Sequence, residues 1–318
     1  MKRKTWNQIV GLFILIGLLT ACKKKDASDG WDDTLTSGII PIACDESFRS
    51  LMESEIQVFE ARNPGAIILP IYTNEMEAIR LLVADSVRLA VTTRDLRSGE
   101  RAEMKKNKIM NVRANLIAFD GVALITNRQN TDSLLSILTL KKILTGEITE
   151  WSQINVHSLL GTIRVLTENQ ESGILRYTLD SIVGNAKLTS NIYALPNDTA
   201  IVNKVLEMPN TLGLISISAL NGMDSKTLEN IRLVRISPDE PATLAYGYLP
   251  YAGDIRQENY PFWRPVYVLL SDPRSGLSSG LSIFLAQEIG QKIILRAGLL
   301  PVTDPQNRSV AIQDAYPQ

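Results

Sequence analysis

Apolar and polar positions follow two different spacings over the first part of the folded chain. The segments 39–43, 66–71 and 88–92 are short and mostly apolar, as buried strands are. The stretches between them carry apolar residues at helical spacing: Met52, Ile56 and Phe59 in one, and Met76, Ile79 and Val83 in the other. A strand, helix, strand, helix, strand order predicts an α/β fold with a parallel sheet and right-handed crossovers.

A second alternation of the same kind fills the middle of the chain. The predicted strands are 122–126, 163–166, 192–195, 212–217 and 265–270, and the predicted helices are 138–144, 174–183 and 200–206. One long helix is predicted from about Gly280 to Arg296, and Gly298 and Pro301 end it. Two α/β sets in one chain of 318 residues predict two lobes.

The N-terminus has the pattern of an export signal. Three basic residues at 2–4 precede a short apolar run at 9–19, which is too short to predict a transmembrane helix. The run ends in Leu19-Thr20-Ala21-Cys22, which resembles the bacterial lipobox. A plain signal peptide followed by an incidental cysteine is the alternative.

By that resemblance, residues 1–21 are a lipoprotein signal peptide and Cys22 is the acylated first residue of the mature protein. The polar segment 22–37 then reads as a flexible tether between the lipid and the folded part. We expect a lipid-anchored protein of the bacterial cell envelope that faces the periplasm or the exterior.

Composition and charge exclude several classes of function. The signal peptide removes three of the 33 basic residues and no acid, so 30 bases face 34 acids in the mature chain. A net acidic surface argues against nucleic-acid binding, and any bound anion must be held by local groups. Cys44 is then the one remaining cysteine, so no internal disulfide is expected.

The segment from Leu140 to Trp151 resembles a part of PstS-type phosphate-binding proteins, where a helix is followed by Gly-x-Ile-x-x-Trp. Further segments resemble that family in the same order along the chain. They are Val91–Leu96 (its Ser-Arg loop), Glu171–Ile174 (its Ser-Gly-Thr phosphate loop), Leu212–Ile215 (its Ile-Gly-Tyr strand), Tyr260–Tyr267 (its hinge strand) and Gly290–Pro301 (its C-terminal helix and cap).

The resemblance implies a type II periplasmic-binding-protein fold, with two α/β lobes joined by a two-strand hinge. Lobe I would be 38–121 with 266–318, and lobe II would be 122–265. The implied function is capture of phosphate, or a similar small oxyanion, in the cleft between the lobes for delivery to the permease of an ABC importer. A monomer without a cofactor is expected.

A small oxyanion is held best by backbone N–H groups, hydroxyls and one or two guanidiniums. The candidate ligand-binding residues lie in three loops: Ser47 and Phe48; Thr92, Thr93 and Arg94; Ser172 and Gly173. Each serine is alternatively a plain helix N-cap, and Arg94 is alternatively a solvated loop charge or a partner of Asp95.

The predicted phosphate loop departs from the family pattern. Glu168 and Glu171 stand where many relatives carry an arginine, and Ile174 replaces the threonine. Two carboxylates repel an anion unless they point away from it or accept the proton of a hydrogen phosphate. Sulfate, another oxyanion or another polar solute therefore stays open as the ligand.

Two other functions compete with solute capture. Residues 276–280 match the Gly-x-Ser-x-Gly pattern of serine hydrolases, but His157 is the only histidine and precedes Ser278, in the wrong order for that class. No metal-ligand spacing or nucleotide loop occurs, so we expect neither an enzyme nor a metal site. The main alternative is a surface lipoprotein that uses the same fold for sensing or partner interaction, without phosphate uptake.

Overall fold

The computed structural model describes residues 33–305 of the chain. The predicted signal peptide, Cys22 and most of the predicted tether lie outside these residues. Within 33–305, no helix is both long enough and apolar enough to cross a bilayer.

The N-terminal part has the predicted order of strands and helices. Its elements are β1 (Ser37–Asp45), a 3₁₀ turn (Glu46–Phe48), α1 (Arg49–Arg62), β2 (Gly65–Thr73), α2 (Glu75–Val83), β3 (Leu89–Thr92) and α3 (Ser98–Lys106). β1 pairs in parallel with β2 on one side and with β3 on the other, which confirms the predicted parallel arrangement.

The middle of the chain supplies a second group. Its elements are β4 (Arg113–Asn127), β5 (Leu134–Ser136), α4 (Ile137–Thr145), β6 (Arg164–Glu168), α5 (Gly173–Thr178) with a π-helical continuation (Leu179–Val183), β7 (Ile192–Leu195), α6 (Asp198–Glu207), β8 (Thr211–Ser216), α7 (Ile217–Asn221), α8 (Ser225–Glu229), β9 (Ile231–Ser237) and α9 (Ala252–Arg256). Short 3₁₀ turns lie at Trp151–Gln153 and Leu244–Tyr246. α4 is capped at both ends, because the Ser136 side chain accepts from Thr139 N and Gly146 adopts φ 83°, where glycine is favoured.

The chain then returns to the first group. β10 (Trp263–Leu270) is followed by α10 (Leu277–Ala286), α11 (Glu288–Arg296) and the short β11 (Leu300–Pro301). The main strand order is β2-β1-β3-β10-β4-β8-β6-β7. β10 thus lies between β3 and β4, antiparallel to both.

β4 links the two groups of strands. Its first part pairs with β10, and its second part, from Val122 onward, pairs with β8 and β9. Separate apolar cores lie on the two sides. One, around Ile79, Leu82 and Leu269, packs α2 on the first group, and another, around Trp151 and Ile174, fills the second.

The predicted long C-terminal helix is wrong, because Gln287 is extended, with ψ 169°, and separates α10 from α11. Gln291 compensates for the break: its buried amide nitrogen donates to Leu285 O at 2.9 Å and to Ile117 O at 3.0 Å. The spacing of apolar residues does not reveal such a break, because α10 and α11 each have a buried side.

The predicted buried face of α2 is also partly wrong. Met76 is exposed, whereas Ala78, Ile79, Leu82 and Val83 are buried.

Candidate functional site

Arg264 lies at the centre of a buried polar cluster between the two groups of strands. β10 places it in register with Asp120 on β4, and its Nε donates to Asp120 Oδ2 at 2.9 Å. Its Nη2 donates to Ser47 Oγ at 2.8 Å, and its guanidinium lies 5.0 Å from the ring centroid of Phe48. Burial alone would lower the pKa of Arg264, but Asp120 and Asp45 outweigh burial and raise it, so the charge is retained.

Asp45 ends β1 and is fully buried beside Arg264. Its Oδ1 accepts from Ser47 N at 3.0 Å and from the Ser47 hydroxyl. Burial raises the pKa of Asp45, and Arg264 partly opposes this. Two atoms of this cluster, Asp45 Oδ2 and Arg264 Nη1, have no hydrogen-bond partner within the described part of the chain.

Gly173, the first residue of α5, is the point where these atoms converge. A Cβ at this position would lie 2.8 Å from Asp45 Oδ2, 2.8 Å from Thr93 Oγ1 and 3.0 Å from Arg264 Nη1. Glycine is required for so close an approach of backbone to polar side chains. The Ser172 hydroxyl caps α5 by accepting from Leu175 N at 3.2 Å. We call Asp45, Ser47, Thr93, Gly173 and Arg264 the anion cradle.

A second arginine joins α5 to the loop after β3. Arg176 Nε donates to Glu75 Oε2 at 2.5 Å, and its Nη2 donates to Thr93 Oγ1 at 2.8 Å. Glu75 Oε1 accepts from Thr93 N at 2.7 Å. Burial would raise the pKa of Glu75, but Arg176 outweighs it and lowers the pKa.

Two more buried carboxyls face this region. Glu168 ends β6 and Asp198 begins α6, and each has one oxygen without a partner among residues 33–305. Burial, and then Asp198, raises the pKa of Glu168 well above its ordinary value. Burial raises the pKa of Asp198 to about 8, against the opposing effect of Arg264.

The structure brings most of the candidate residues from the sequence together, but not all of them. Five candidate residues lie around Arg264 and Asp45 or next to residues that contact them: Ser47, Phe48, Thr93, Ser172 and Gly173. The Thr92 hydroxyl is turned to its own loop, where it donates to Arg94 O at 2.9 Å.

The Arg94 side chain bonds mainly to Glu100, and its Nε also lies 3.9 Å from Glu75 Oε2. Its two terminal nitrogens donate to the Glu100 carboxylate at 2.7 and 2.8 Å, and one also donates to the backbone oxygen of Asp95. The carboxylate of Asp95 pairs with Arg101 instead. The guanidinium that contacts Ser47 and lies next to Gly173 is that of Arg264, which is not among the residues predicted from the sequence.

A sequence signal for the missed residues does exist. Arg264 and Asp120 each interrupt an apolar strand, and a charge inside such a strand must find a partner when the strand is buried. The sequence does not show that the two strands are neighbours.

The residues of the hydrolase pattern do not form a visible site. Ser278 is buried within α10, and His157 is exposed in the loop after Trp151. Among residues 33–305, no group of three or more His, Cys, Asp or Glu side chains is placed to hold a metal ion.

The family model described as a PBP superfamily domain matches residues 31–287. A curated relative from Streptococcus agalactiae serotype V, "Phosphate-binding protein PstS 2", is 25% identical over 130 residues, which are 41% of this chain and 42% of the relative. The alignment thus spans about two fifths of that relative's length.

Solved structures share the fold over most of the chain. A putative phosphate ABC transporter substrate-binding protein from Clostridium perfringens, with bound phosphate, has a TM-score of 0.70 at 22% identity, covering 84% of this chain and 100% of its own. An ABC-type phosphate transport receptor from Vibrio cholerae has a TM-score of 0.61 at 22% identity, covering 83% of this chain and 100% of its own. The fold is the type II binding-protein fold of these structures.

Proposed function

This chain belongs to the PBP superfamily, and we propose that it captures phosphate in the anion cradle and delivers it to an ABC importer. The proposal includes an extracytoplasmic location, a lipid anchor on Cys22, a monomeric state and a membrane permease as partner. The names of the relatives support the ligand class, since those proteins are called phosphate-binding or phosphate-transport proteins.

The observation that carries the proposal is the convergence at Gly173 of two unpartnered buried atoms with opposite roles, Arg264 Nη1 and Asp45 Oδ2. A hydrogen phosphate has both complements, since its unprotonated oxygens accept from a guanidinium and its P–OH donates to a carboxylate. The hydroxyls of Ser47 and Thr93 border the same position.

Asp45 also gives the proposed cradle a basis for choosing among oxyanions. A fully ionised sulfate has no proton to donate, so its oxygen would lie against the Asp45 carboxylate without a hydrogen bond. A buried acceptor left unpaired costs about 1–3 kcal/mol, roughly a factor of 5–150 in affinity. We therefore expect phosphate to bind more tightly than sulfate.

We further propose that the cleft closes between two lobes, 38–121 with 266–318 and 122–265, hinged on β4 and β10. Contacts across the proposed cleft support this: Arg176 donates to Glu75, and the Ser218 hydroxyl donates to Ser47 O at 3.2 Å. A ligand held by residues of both lobes favours the closed state by its differential contacts.

Calorimetric titration of the mature chain without lipid, with phosphate and with sulfate, tests the proposed function. We expect phosphate to bind with at least fivefold higher affinity than sulfate in the wild-type protein. Asp45→Asn supplies an N–H donor where the carboxylate stood, so it should reduce or reverse that preference. Absence of phosphate binding by the wild-type protein would overturn the proposal.

A further inference from the structure

Glu168 and Asp198 are two buried carboxyls that the proposed phosphate contacts do not use. Glu168 ends β6, and Asp198 opens α6, the helix that follows the neighbouring strand β7, so both lie at the same edge of the second group of strands. The two residues are 2% and 7% exposed. Glu168 Oε1 and Asp198 Oδ1 have no hydrogen-bond partner in the part of the chain from 33 to 305. A carboxylate charge is costly in such a place, because burial disfavours the charged form.

The charged groups that face these two carboxyls are mostly acidic. Asp45 and Glu46 face both of them from the end of β1 and the turn after it, and Asp120 on β4 faces Asp198. Arg264 opposes these acids, but its Nε already donates to Asp120 Oδ2 at 2.9 Å. One guanidinium does not compensate the charge of every carboxyl around it.

Two further arginines beside the cleft are bonded to other carboxylates. Arg49 donates to both oxygens of Glu46, at 2.7 and 2.9 Å. Arg176 donates to Glu75 Oε2 at 2.5 Å. Both guanidiniums are thus engaged away from the two buried carboxyls, which therefore hold protons at neutral pH in this arrangement.

Burial of the two carboxyls depends on both groups of strands. Asp198 lines a cavity of about 300 Å³ together with Ser47 and Arg49, which follow β1. Burial is the main cause that raises the pKa of Asp198 from 3.8 to about 8, and burial followed by Asp198 raises the pKa of Glu168 well above its ordinary value. If the two groups of strands separated, water would reach both carboxyls, and their pKa values would return towards the ordinary range.

We propose that closing of the cleft takes up protons on Glu168 and Asp198, so that phosphate capture weakens as the pH rises. The open protein holds both side chains as carboxylates at neutral pH, and the closed protein holds them as neutral acids. The pKa of each group is higher in the closed state, so the preference for that state is complete below the open-state pKa and is lost as the pH rises towards the closed-state pKa. This inference rests on the proposed function, because phosphate capture is what reports the closing.

Calorimetric titration with phosphate at pH 6 and at pH 7 tests the inference on the mature chain without lipid. It compares the wild type with the double variant Glu168→Gln with Asp198→Asn, whose amides have the shape of the neutral acids and take up no proton. The ratio of the two affinities cancels the titration of phosphate itself, because both proteins meet the same phosphate species. From pH 6 to pH 7 we expect the wild type to lose at least about tenfold more affinity than the double variant, since each proton taken up contributes a factor of about ten per pH unit.

The double variant should also bind phosphate at least about tenfold more tightly than the wild type at pH 7, because its closing needs no proton. Such a gain of affinity does not arise from misfolding. Glu207→Gln is the matched control, because Glu207 ends the same helix α6 with a side chain that is 64% exposed, and it loses the same charge. The control should keep the wild-type affinity at both pH values.

An affinity ratio that is the same at the two pH values, or a loss of phosphate affinity in the double variant at pH 7, would overturn the inference. Either result, if the wild type binds phosphate, leaves the proposed function standing. Failure of the wild type to bind phosphate at both pH values would instead refute the proposed function, and the inference with it.

Discussion

Arg176 Nε lies 2.5 Å from Glu75 Oε2, and this buried contact ties α5 to the first residue of α2. The Glu75 side chain is 3% exposed and that of Arg176 is 19% exposed. Glu75 also accepts from both the backbone N–H and the hydroxyl of Thr93, so one carboxylate organises three segments of the chain.

Removing one partner of this pair should destabilise the protein more than removing both. Arg176→Gln removes the hydrogen-bonded counter-ion of the buried Glu75 and leaves only Arg94, whose Nε lies 3.9 Å from Glu75 Oε2. We expect a cost of about 3 kcal/mol, the lower end for buried pairs, because Arg176 is partly hydrated and Arg94 remains. The double variant Glu75→Gln with Arg176→Gln should recover part of that loss. Urea unfolding of the two single variants and the double variant measures the coupling.

Asp180→Asn is the control for that cycle, because Asp180 also pairs with Arg176, at 3.1 Å, but its side chain is 62% exposed. We expect it to change stability by no more than about 0.5 kcal/mol. If the double variant lost as much stability as the two single variants lose together, or more, the pairing would be contradicted.

Arg264 should matter more for phosphate binding than Arg94. Arg264→Lys keeps a positive charge near Asp120 but removes the planar fork that bonds Asp120 and Ser47 together, so we expect at least tenfold weaker phosphate binding. Arg94→Lys should weaken binding less, because Glu100 holds the Arg94 guanidinium. Titration of both variants with phosphate decides between the two arginines, and a larger loss for Arg94 would restore the expectation from the sequence.

Gly173→Ala should block the cradle. The added Cβ would lie within 3.0 Å of Asp45 Oδ2, Thr93 Oγ1 and Arg264 Nη1, in the space proposed for the ligand. We expect at least a tenfold loss of phosphate affinity and a stability cost of about 1–3 kcal/mol from overpacking. Calorimetry and thermal unfolding measure the two effects.

Gly99→Ala provides a comparison in the first turn of α3, because a Cβ there meets nothing within 4 Å. It should leave the phosphate affinity unchanged. Unchanged affinity in Gly173→Ala as well would remove Gly173 from the site.

Glu55 should make the stability of the protein depend on pH. It is fully buried in α1, neither of its carboxyl oxygens has a partner among the described residues, and burial raises its pKa from 4.5 to about 9. The folded state therefore keeps the proton that the unfolded state releases above pH 4.5.

The sign follows from that difference. Stability is lost as the pH rises from 4.5 towards 9, by up to about 1.4 kcal/mol per pH unit from this group. Glu55→Gln has no proton to release, so its stability relative to the wild type should rise with pH. Urea unfolding at pH 5, 6, 7 and 8 measures the slope, and parallel curves for the two proteins would show that Glu55 does not titrate in this way.

The sequence predicted those parts of the fold that depend on local patterns. The predicted strand 192–195 matches β7, and the predicted strand 66–71 lies within β2. Both are predictable because apolar runs bounded by turn residues indicate strands directly. The predicted helix 138–144 lies within α4, whose serine cap and terminal glycine are readable in the sequence. The break at Gln287 could not be predicted from the sequence, because it depends on tertiary contacts that the buried amide of Gln291 makes.

The residues of the candidate site were predicted only where they lie in short loops. Ser47, Thr93 and Gly173 follow strands or open helices, so local patterns point to them. Arg264 contacts Ser47 across 217 positions and Asp120 across 144 positions of the sequence, and no local pattern encodes such pairs. Long-range pairing of β10 between β3 and β4 decides which guanidinium reaches the cradle.

The position of β10 constrains when the binding site can form during synthesis. The strand that fills the gap between β3 and β4 is synthesised after both of them, and it brings the counter-charge for Asp120 with it. A nascent chain that stops before Trp263 lacks the strand that pairs with β3 and β4, so the facing edges of these two strands stay unpaired. The acidic pocket then lacks the positive charge of Arg264. The proposed cradle is thus complete only after β10 has been synthesised, and products that terminate before this strand should fail to bind the anion proposed for it.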